Sequence, residues 1–533
     1  MLLKAAMFLR YARNQMTDRK TILPQTDDGS LVTAVMRASD AAPQQVVMWF
    51  EGQAWTHAQW VAMIQVCKQR FLAWGVQSGD RVACLAWGHP LQLAALLALS
   101  DLGAIWVPLN FRLAAAEWQQ VLADCTPCLL LADEHWQSHA QVLAQHSATR
   151  LERLTDLSHV PASPTPMHEI SAVSWNPHRP TLLVYTSGTT GRAKGAVHTL
   201  ANLMANARAA MVAQGLGPGE RVLTLLPLFH VGGLCIQTLP ALLSGASVVL
   251  HSRFDADMAW RDLVRHRITS TLMVPAVMKS LIDHPAFGST ALPDLKAIWA
   301  GSSVLPNHLV QAWHDRGVPV CNVYGATETG PFSLALGAQH ARSHVGSCGW
   351  PAQGVQARLH DPGPDGVGEV CLRGPAVVRH YWPQQPALDA QGWFHSGDLA
   401  CMGADQSWRI VGRAKDMIIS GGENIYPAEI EQVLARHPAL AECAVVGLPD
   451  ERWGEQVVAV LVFKEGQKAT AQELLASLKA SLAKYKHPRK LWELKELPKT
   501  ALGKVQKDEL VRQLSAASVD KAATLWADSP RSA

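Results

Sequence analysis

The chain has 533 residues, 48% of them hydrophobic and 17% charged, with a net charge of +3. That composition belongs to a globular protein of roughly two to four domains and excludes wholesale disorder. The charge is too small, and Lys/Arg blocks too scarce, for a nucleic-acid binder.

In chain order, the first 29 residues open on a basic, apolar stretch without a proper signal-peptide core or cleavage site. A frayed helix, a start at Met16 and an amphipathic helix on a membrane surface all fit it. Residues 91–103 read as a buried helix, with a strand at 104–110. Cys125 and Cys128 spell CxxC, but no second pair or histidine cluster accompanies them, so both are expected to be packing cysteines. The ten scattered cysteines give no disulfide framework and fit a reducing, cytoplasmic compartment. A strand at 181–186 precedes YTSGTTGRAKG (185–195). After this loop Leu200, Leu203, Met204, Ala207 and Met211 mark one face of a helix that Gly215 stops. Residues 234–250 are the most apolar run; Gln237, Pro240 and two serines make it a core element, not a membrane span.

Repeated strand–loop–helix order predicts an α/β fold with largely parallel sheets. The pattern changes near residue 412. A helix starts at Pro427, strands follow at 443–447 and 457–463, and Thr470 with Glu473 caps a helix running to about Lys484. The expected division is an extension (1–29), a large domain (30–411), a hinge (412–416), a small mobile α+β domain (417–515) and a frayed tail (516–533).

The 185–195 loop is not a Walker A motif, because Lys194 is followed by Gly195 and not by Ser or Thr after the required spacing. The physics is related: glycines let backbone N–H groups turn toward an anion, hydroxyls donate, and lysine neutralises charge. VYGATETG (323–330) sets Thr327 beside Glu328; a carboxylate near phosphates suits Mg²⁺. GWFHSGDLA (392–400) carries Asp398, suited to a vicinal diol, and PKTALGKVQK (498–507) carries Lys504 after Gly503.

The order and wording of these motifs, with GRAKDMIISGGENIYPAEIE (412–431), resemble the AMP-forming acyl-activating enzymes from about residue 30 to 515. The resemblance is strongest to bacterial fatty-acyl and aryl-acid CoA ligases. It implies that a carboxylate attacks the α-phosphorus of ATP to give acyl-AMP and pyrophosphate, after which CoA expels AMP. It further implies that Thr186, Ser187, Gly188, Thr189, Thr190 and Lys194 cradle the β,γ-phosphates. Glu328 would hold Mg²⁺ and Thr327 the α-phosphate. Gly301, Ser302 and Ser303 would border the adenine edge, with Tyr324 against its face and Gly325 beside it. Many relatives have Gly-Ala-Pro where this chain has Gly301-Ser302-Ser303. Asp398 and Arg413 would hold the ribose. Lys504 would bridge carboxylate and α-phosphate, and His230 would line or gate the carboxylate site. Lys415 would be the hinge, and Gly421, Gly422 and Glu423 part of the pantetheine channel. The acid pocket would draw on His230, Trp299 and 325–331. ATP, Mg²⁺, CoA and a small carboxylic acid are the implied partners, with no nucleic acid. A homodimer and weak contact with the inner membrane surface are compatible with the resemblance. Transfer of the acyl group to a carrier protein is the alternative to CoA.

Overall fold

The structure, a computed structural model, describes residues 30–161, 176–186, 193–301, 305–420, 423–450, 452–500 and 503–516. Among these, two large sheets form the body of the molecule. One has nine strands. Its parallel centre runs in space as Val320–Tyr324, Ala297–Gly301, Ser270–Met273, Arg221–Thr224, Ser247–Leu250 and Val46–Phe50. The other has eight, with Pro180–Thr186, Ile105–Pro108, Arg81–Leu85, Leu129–Ala132 and Arg150–Arg153 in parallel and Lys194–Thr199 antiparallel beside the first of them. The central strands bury both faces, which is why they read as apolar runs rather than as alternating patterns, while the edge strand Arg150–Arg153 stays largely open.

The helix Pro90–Leu102 is apolar around almost its whole circumference and nearly all of it is buried. The helix Leu200–Gln214 starts at a Thr199 capping box and ends where Gly215 takes a left-handed turn at φ 65°. Its five expected core positions are buried, each of the leucine and methionine side chains contributing about 1.5–3 kcal/mol. Asn206, Ala209 and Ala210 are buried too, so the helix is covered on more than the single face its pattern shows.

Three features depart from the sequence reading. Residues 356–413 form a separate four-stranded antiparallel sheet, Gln356–His360, Gly368–Arg373, Phe394–Met402 and Trp408–Arg413. The apolar run 234–250 is not one element: a π-helix Gly232–Thr238 passes into the helix Leu239–Ser244 and the strand Ser247–Leu250. Cys128 is exposed, not packed, while Cys125 is buried. No helix among the described residues is long and apolar enough to cross a membrane.

In the C-terminal part, Leu440–Asp450 and Gly454–Phe463 form a long hairpin. Alternation along the second strand separates two faces. Val457, Ala459 and Leu461 pack under the helices Pro427–Leu434 and Ala471–Ser481. Val458, Val460 and Val462 pack under Lys507–Ala516. The helix expected to reach Lys484 stops at Ser481. Leu482 is extended, and Pro488 disfavours helical backbone at His487.

Candidate active site

Six of the expected residues are joined in two clusters, one through Tyr381 and the other through Asp398. The strand Pro180–Thr186 delivers Thr186, which pairs across the ladder with Lys194; its hydroxyl donates to the Lys194 carbonyl at 3.4 Å. Ser187, Gly188, Thr189 and Thr190, between these two, lie outside the described residues. The Lys194 ammonium sits 5.3 Å from the centre of the Tyr381 ring. The Tyr381 hydroxyl in turn donates to Glu328 Oε1 at 2.9 Å. Burial and the adjoining carboxylate push the Tyr381 phenol up, so it stays a donor.

Glu328 and Thr327 sit on a single 3₁₀ turn, Thr327–Thr329, directly after the strand Val320–Tyr324. The turn fits only because Gly325 lacks a side chain: a Cβ there would lie 2.4 Å from the Pro331 carbonyl oxygen. Thr327 is buried and Glu328 half-buried. Tyr324 donates from its hydroxyl to Asp398 Oδ2 at 2.8 Å, while Arg413 Nε lies 2.9 Å from Asp398 Oδ1. Asp398 and Arg413 are direct cross-strand partners in the antiparallel sheet, so register alone sets them together. Gly301 ends the strand Ala297–Gly301 beside Val323; Ser302 and Ser303 lie outside the described residues.

His230 precedes the π-helix and accepts the Gly232 N–H on Nδ1 at 3.0 Å. Burial, with a smaller push from Lys504, lowers its pKa to about 4, so the imidazole is neutral at physiological pH. The wide π turn is a form often found at functional sites. Here side chains from the neighbouring helix satisfy its carbonyls: Asn206 donates to Cys235 at 2.7 Å and Gln214 to Ile236 at 2.7 Å. Asn206 also accepts the Phe332 N–H at 3.2 Å, which joins the His230 segment to the loop after Glu328.

Lys504 comes from the C-terminal part on a tight turn. Thr500 N–H bonds the Lys504 carbonyl at 2.7 Å, and Gly503 holds φ at 79°. Lys504 is exposed to solvent, and part of the surrounding protein still desolvates its ammonium. Desolvation therefore holds its pKa below the usual lysine range; Arg413 adds repulsion and Asp398 opposes it. Its charge acts on His230 as well. A residue about ninety positions beyond Arg413 in sequence thus lies in the field of the Asp398–Arg413 pair and acts on His230.

The remaining residues lie apart from these links. Lys415, on the turn Ala414–Asp416, points to Asp508 at 2.9 Å and not into the cleft. Glu423 is exposed on the strand Glu423–Ile425, and Gly421 and Gly422 lie outside the described residues. Trp299 is fully in the core, its ring 5.5 Å from that of Phe332. Two contributors were absent from the sequence reading, Tyr381 and Asn206. Asn206 had a signal, a polar residue within an apolar helix; Tyr381 had none, being brought to Lys194 by strand pairing alone.

Chemically, the cleft presents a cation at the base of a glycine-rich loop, one anchored carboxylate, a diol-type Asp/Arg pair and a crowded lysine. One carboxylate beside a phosphate cradle fits Mg²⁺ that arrives on nucleotide oxygens. The model of the AMP-binding enzyme family matches residues 35–382, and that of the AMP-binding enzyme C-terminal domain matches 429–504. The chain belongs to the AMP-binding enzyme family. It is 40% identical over 502 residues to the indoleacetate–CoA ligase of Aromatoleum aromaticum, across 90% of this chain and 97% of that one. It is 37% identical to a feruloyl-CoA synthase of Amycolatopsis, across 90% and 98%. The o-succinylbenzoate CoA synthetase of Bacillus subtilis, solved with its acyl-adenylate intermediate, superposes with a TM-score of 0.82 at 30% identity, across 90% and 97%. This family member is an AMP-forming acid–CoA ligase: it uses ATP, Mg²⁺ and CoA, forms acyl-AMP with pyrophosphate release, and then forms the thioester.

Proposed function

We propose that the ligase activates an aromatic carboxylic acid, with the work divided among the residues of the cleft. Thr186, Lys194 and the loop 187–190 hold the β,γ-phosphates. Glu328, steadied by Tyr381, holds Mg²⁺, which offsets phosphate charge, and Thr327 contacts the α-phosphate. Tyr324 and Gly325, with 301–303, border adenine, and Asp398 with Arg413 takes the ribose hydroxyls. The acid carboxylate enters beside neutral His230, which does not repel the Lys504 ammonium. Lys504 stabilises the charge that shifts between carboxylate and α-phosphate during in-line attack. The C-terminal domain then turns about Lys415, and 421–423 admit the pantetheine arm.

The observation that carries this division is the place of Lys504: a lysine from the far C-terminal part that lies in the field of Asp398 and Arg413 and whose charge acts on His230. The aromatic acid is supported by the relatives named for indoleacetate and ferulate. The ten unpaired thiols support a cytoplasmic setting. Pyrophosphate release measured over arylacetic, hydroxycinnamic, benzoic and fatty acids tests the substrate class. Arylacetic or hydroxycinnamic acids are expected to give the highest kcat/KM; a fatty acid in first place would refute the aromatic reading and leave the ligase chemistry intact.

A further inference from the structure

The antiparallel sheet that carries Asp398 also carries a cluster that acyl-AMP formation does not use. Cys371 and His395 are cross-strand partners, and Glu369 stands two residues before Cys371, across a bulge. His395 Nδ1 lies 2.8 Å from Glu369 Oε2 and 3.4 Å from Cys371 Sγ. One sulfur, one nitrogen and one carboxylate oxygen all lie within 4.8 Å of one another. On its other side, His395 Nε2 is 3.2 Å from Asp389 Oδ2.

That arrangement has two consequences. With Nε2–H donating to Asp389, the neutral ring turns its Nδ1 lone pair toward a carboxylate oxygen. Two acceptors so close need something positive between them, either a proton or a metal ion. Moreover, a carboxylate on the distal nitrogen is the usual support of a metal-bound histidine; it fixes the tautomer that coordinates. The donor set of thiolate, imidazole and carboxylate selects a borderline ion such as Zn²⁺ and not Mg²⁺, which prefers oxygen alone. Bond lengths of about 2.0–2.3 Å place tetrahedral Zn²⁺ ligands about 3.3–3.6 Å apart, within the span seen here. Glu369 and His395 are partly exposed and Cys371 is buried behind them, so an ion reaches the site from the Glu369–His395 side. Against binding stands Arg358, 3.9 Å from Asp389, whose charge also acts on Cys371. That repulsion argues for micromolar and not tighter affinity.

We propose that Glu369, Cys371 and His395 form a binding site for one Zn²⁺-class ion, and that filling it inhibits acyl-AMP formation. The coupling runs through Glu369, whose Oε1 accepts the Gly397 N–H at 2.9 Å. A metal on Oε2 draws charge from this carboxylate and weakens its hold on the Gly397 N–H, next to Asp398. The inhibitory half therefore rests on the ribose role given above for Asp398; the binding half does not. On binding, sulfur, nitrogen and oxygen each donate a pair to the ion, and the thiol proton and the proton shared by His395 and Glu369 pass to solvent. No redox change occurs.

Full-length protein freed of chelator is titrated calorimetrically with Zn²⁺ in Mg²⁺-free buffer, and separately with Co²⁺ to read the thiolate charge-transfer band. One equivalent is expected, with a band that Cys371→Ala abolishes while Cys443→Ala keeps it. Cys371→Ala should weaken Zn²⁺ binding by at least about tenfold, the loss of one of three ligands. His395→Gln should do the same, so one poorly folding variant does not leave the site untested. Micromolar Zn²⁺ should slow acyl-AMP formation in the parent protein and not in Cys371→Ala. No binding at sub-millimolar Zn²⁺, or an undiminished band in Cys371→Ala, overturns the site. Binding without inhibition overturns its link to Asp398. Neither binding readout involves ATP or the acid, so failure of the ligase reading would be seen separately.

Discussion

The two sides of the cleft are held in different ways. On the N-terminal side, Tyr381–Glu328, Tyr324–Asp398 and Asp398–Arg413 are fixed by contacts of 2.8–2.9 Å between side chains on strands and tight turns. On the C-terminal side, the Lys504 turn is well built, but among the described residues its ammonium makes no hydrogen bond or ion pair. Only the field of Arg413 and Asp398, and the crowding around it, mark its place. Tyr324, Glu328, Asp398 and Arg413 are thus preset by the sheets, whereas in the proposed two-pose cycle the lysine is delivered by the position of a domain. A group of that kind can serve one step of a two-step reaction and be withdrawn for the other.

The largest effect should come from breaking the delivered side. Lys504→Ala is expected to slow acyl-AMP formation by about 100-fold or more, the scale of losing one transition-state donor. Supplied acyl-AMP and CoA should still give thioester at a near-parent rate. Equal loss in both half-reactions would show that the lysine is a fixed part of one site. The same lysine predicts a pH limb. It must be charged to act, and desolvation lowers its pKa. Acyl-AMP formation should therefore be full below that lowered pKa and fall about tenfold per pH unit above it. Lys504→Arg, weaker at all pH, should lack this alkaline limb because guanidinium stays charged. His230, held neutral by burial with a pKa near about 4, should add no acid limb around the ordinary histidine value. A limb there, lost in His230→Asn, would contradict the neutral assignment.

The preset side should break more gently and more selectively. Tyr381→Phe removes one hydrogen bond to a carboxylate, so the Mg²⁺·ATP requirement should rise about tenfold. The KM for the acid should stay put. Glu328→Gln, which removes the charge itself, should cost more than Tyr381→Phe in the same assay. If Tyr381→Phe shifts the acid and not the nucleotide, Glu328 serves the acid pocket instead.

Much of this side was legible in sequence because it is local. Thr327 and Glu328 share one turn, Thr186 and Lys194 flank one loop, and Thr199 and Gly215 bracket one helix. Asp398 was readable as a diol-type carboxylate, but its partner Arg413 only by resemblance, since their pairing depends on antiparallel register across fourteen intervening residues. Tyr381 was not readable at all. The two-residue strand His380–Tyr381 joins Ala196 through tertiary pairing, and nothing in its own neighbourhood marks it. The sheet 356–413 escaped because its half-buried strands carry charged residues on the open face and no helices between them. The π turn escaped because its carbonyls are satisfied by Asn206 and Gln214, some 20 to 30 residues earlier.

The smallest effect sharpens the comparison most, because it moves the delivered lysine without touching it. Lys415, on the turn Ala414–Asp416, and Asp508, in the helix Lys507–Ala516, form an ion pair at 2.9 Å at the proposed hinge, with side chains 47% and 76% exposed. Such a pair is worth only about 0.2–1 kcal/mol. Asp508→Asn should therefore shift the balance of domain positions by less than about fivefold. Because the pair is made in the pose where Lys504 faces Asp398 and His230, acyl-AMP formation should slow by that factor. Thioester formation from supplied acyl-AMP should be unchanged or slightly faster. An exposed pair is also screened by salt, so parent and variant should converge at about 1 M NaCl, where the Debye length is roughly 3 Å. Thermal stability should differ little between the two, which separates a shift in pose from damage to the helix Lys507–Ala516. A uniform slowing of both half-reactions, or a difference that survives high salt, would mean that this ion pair does not set where the domain rests.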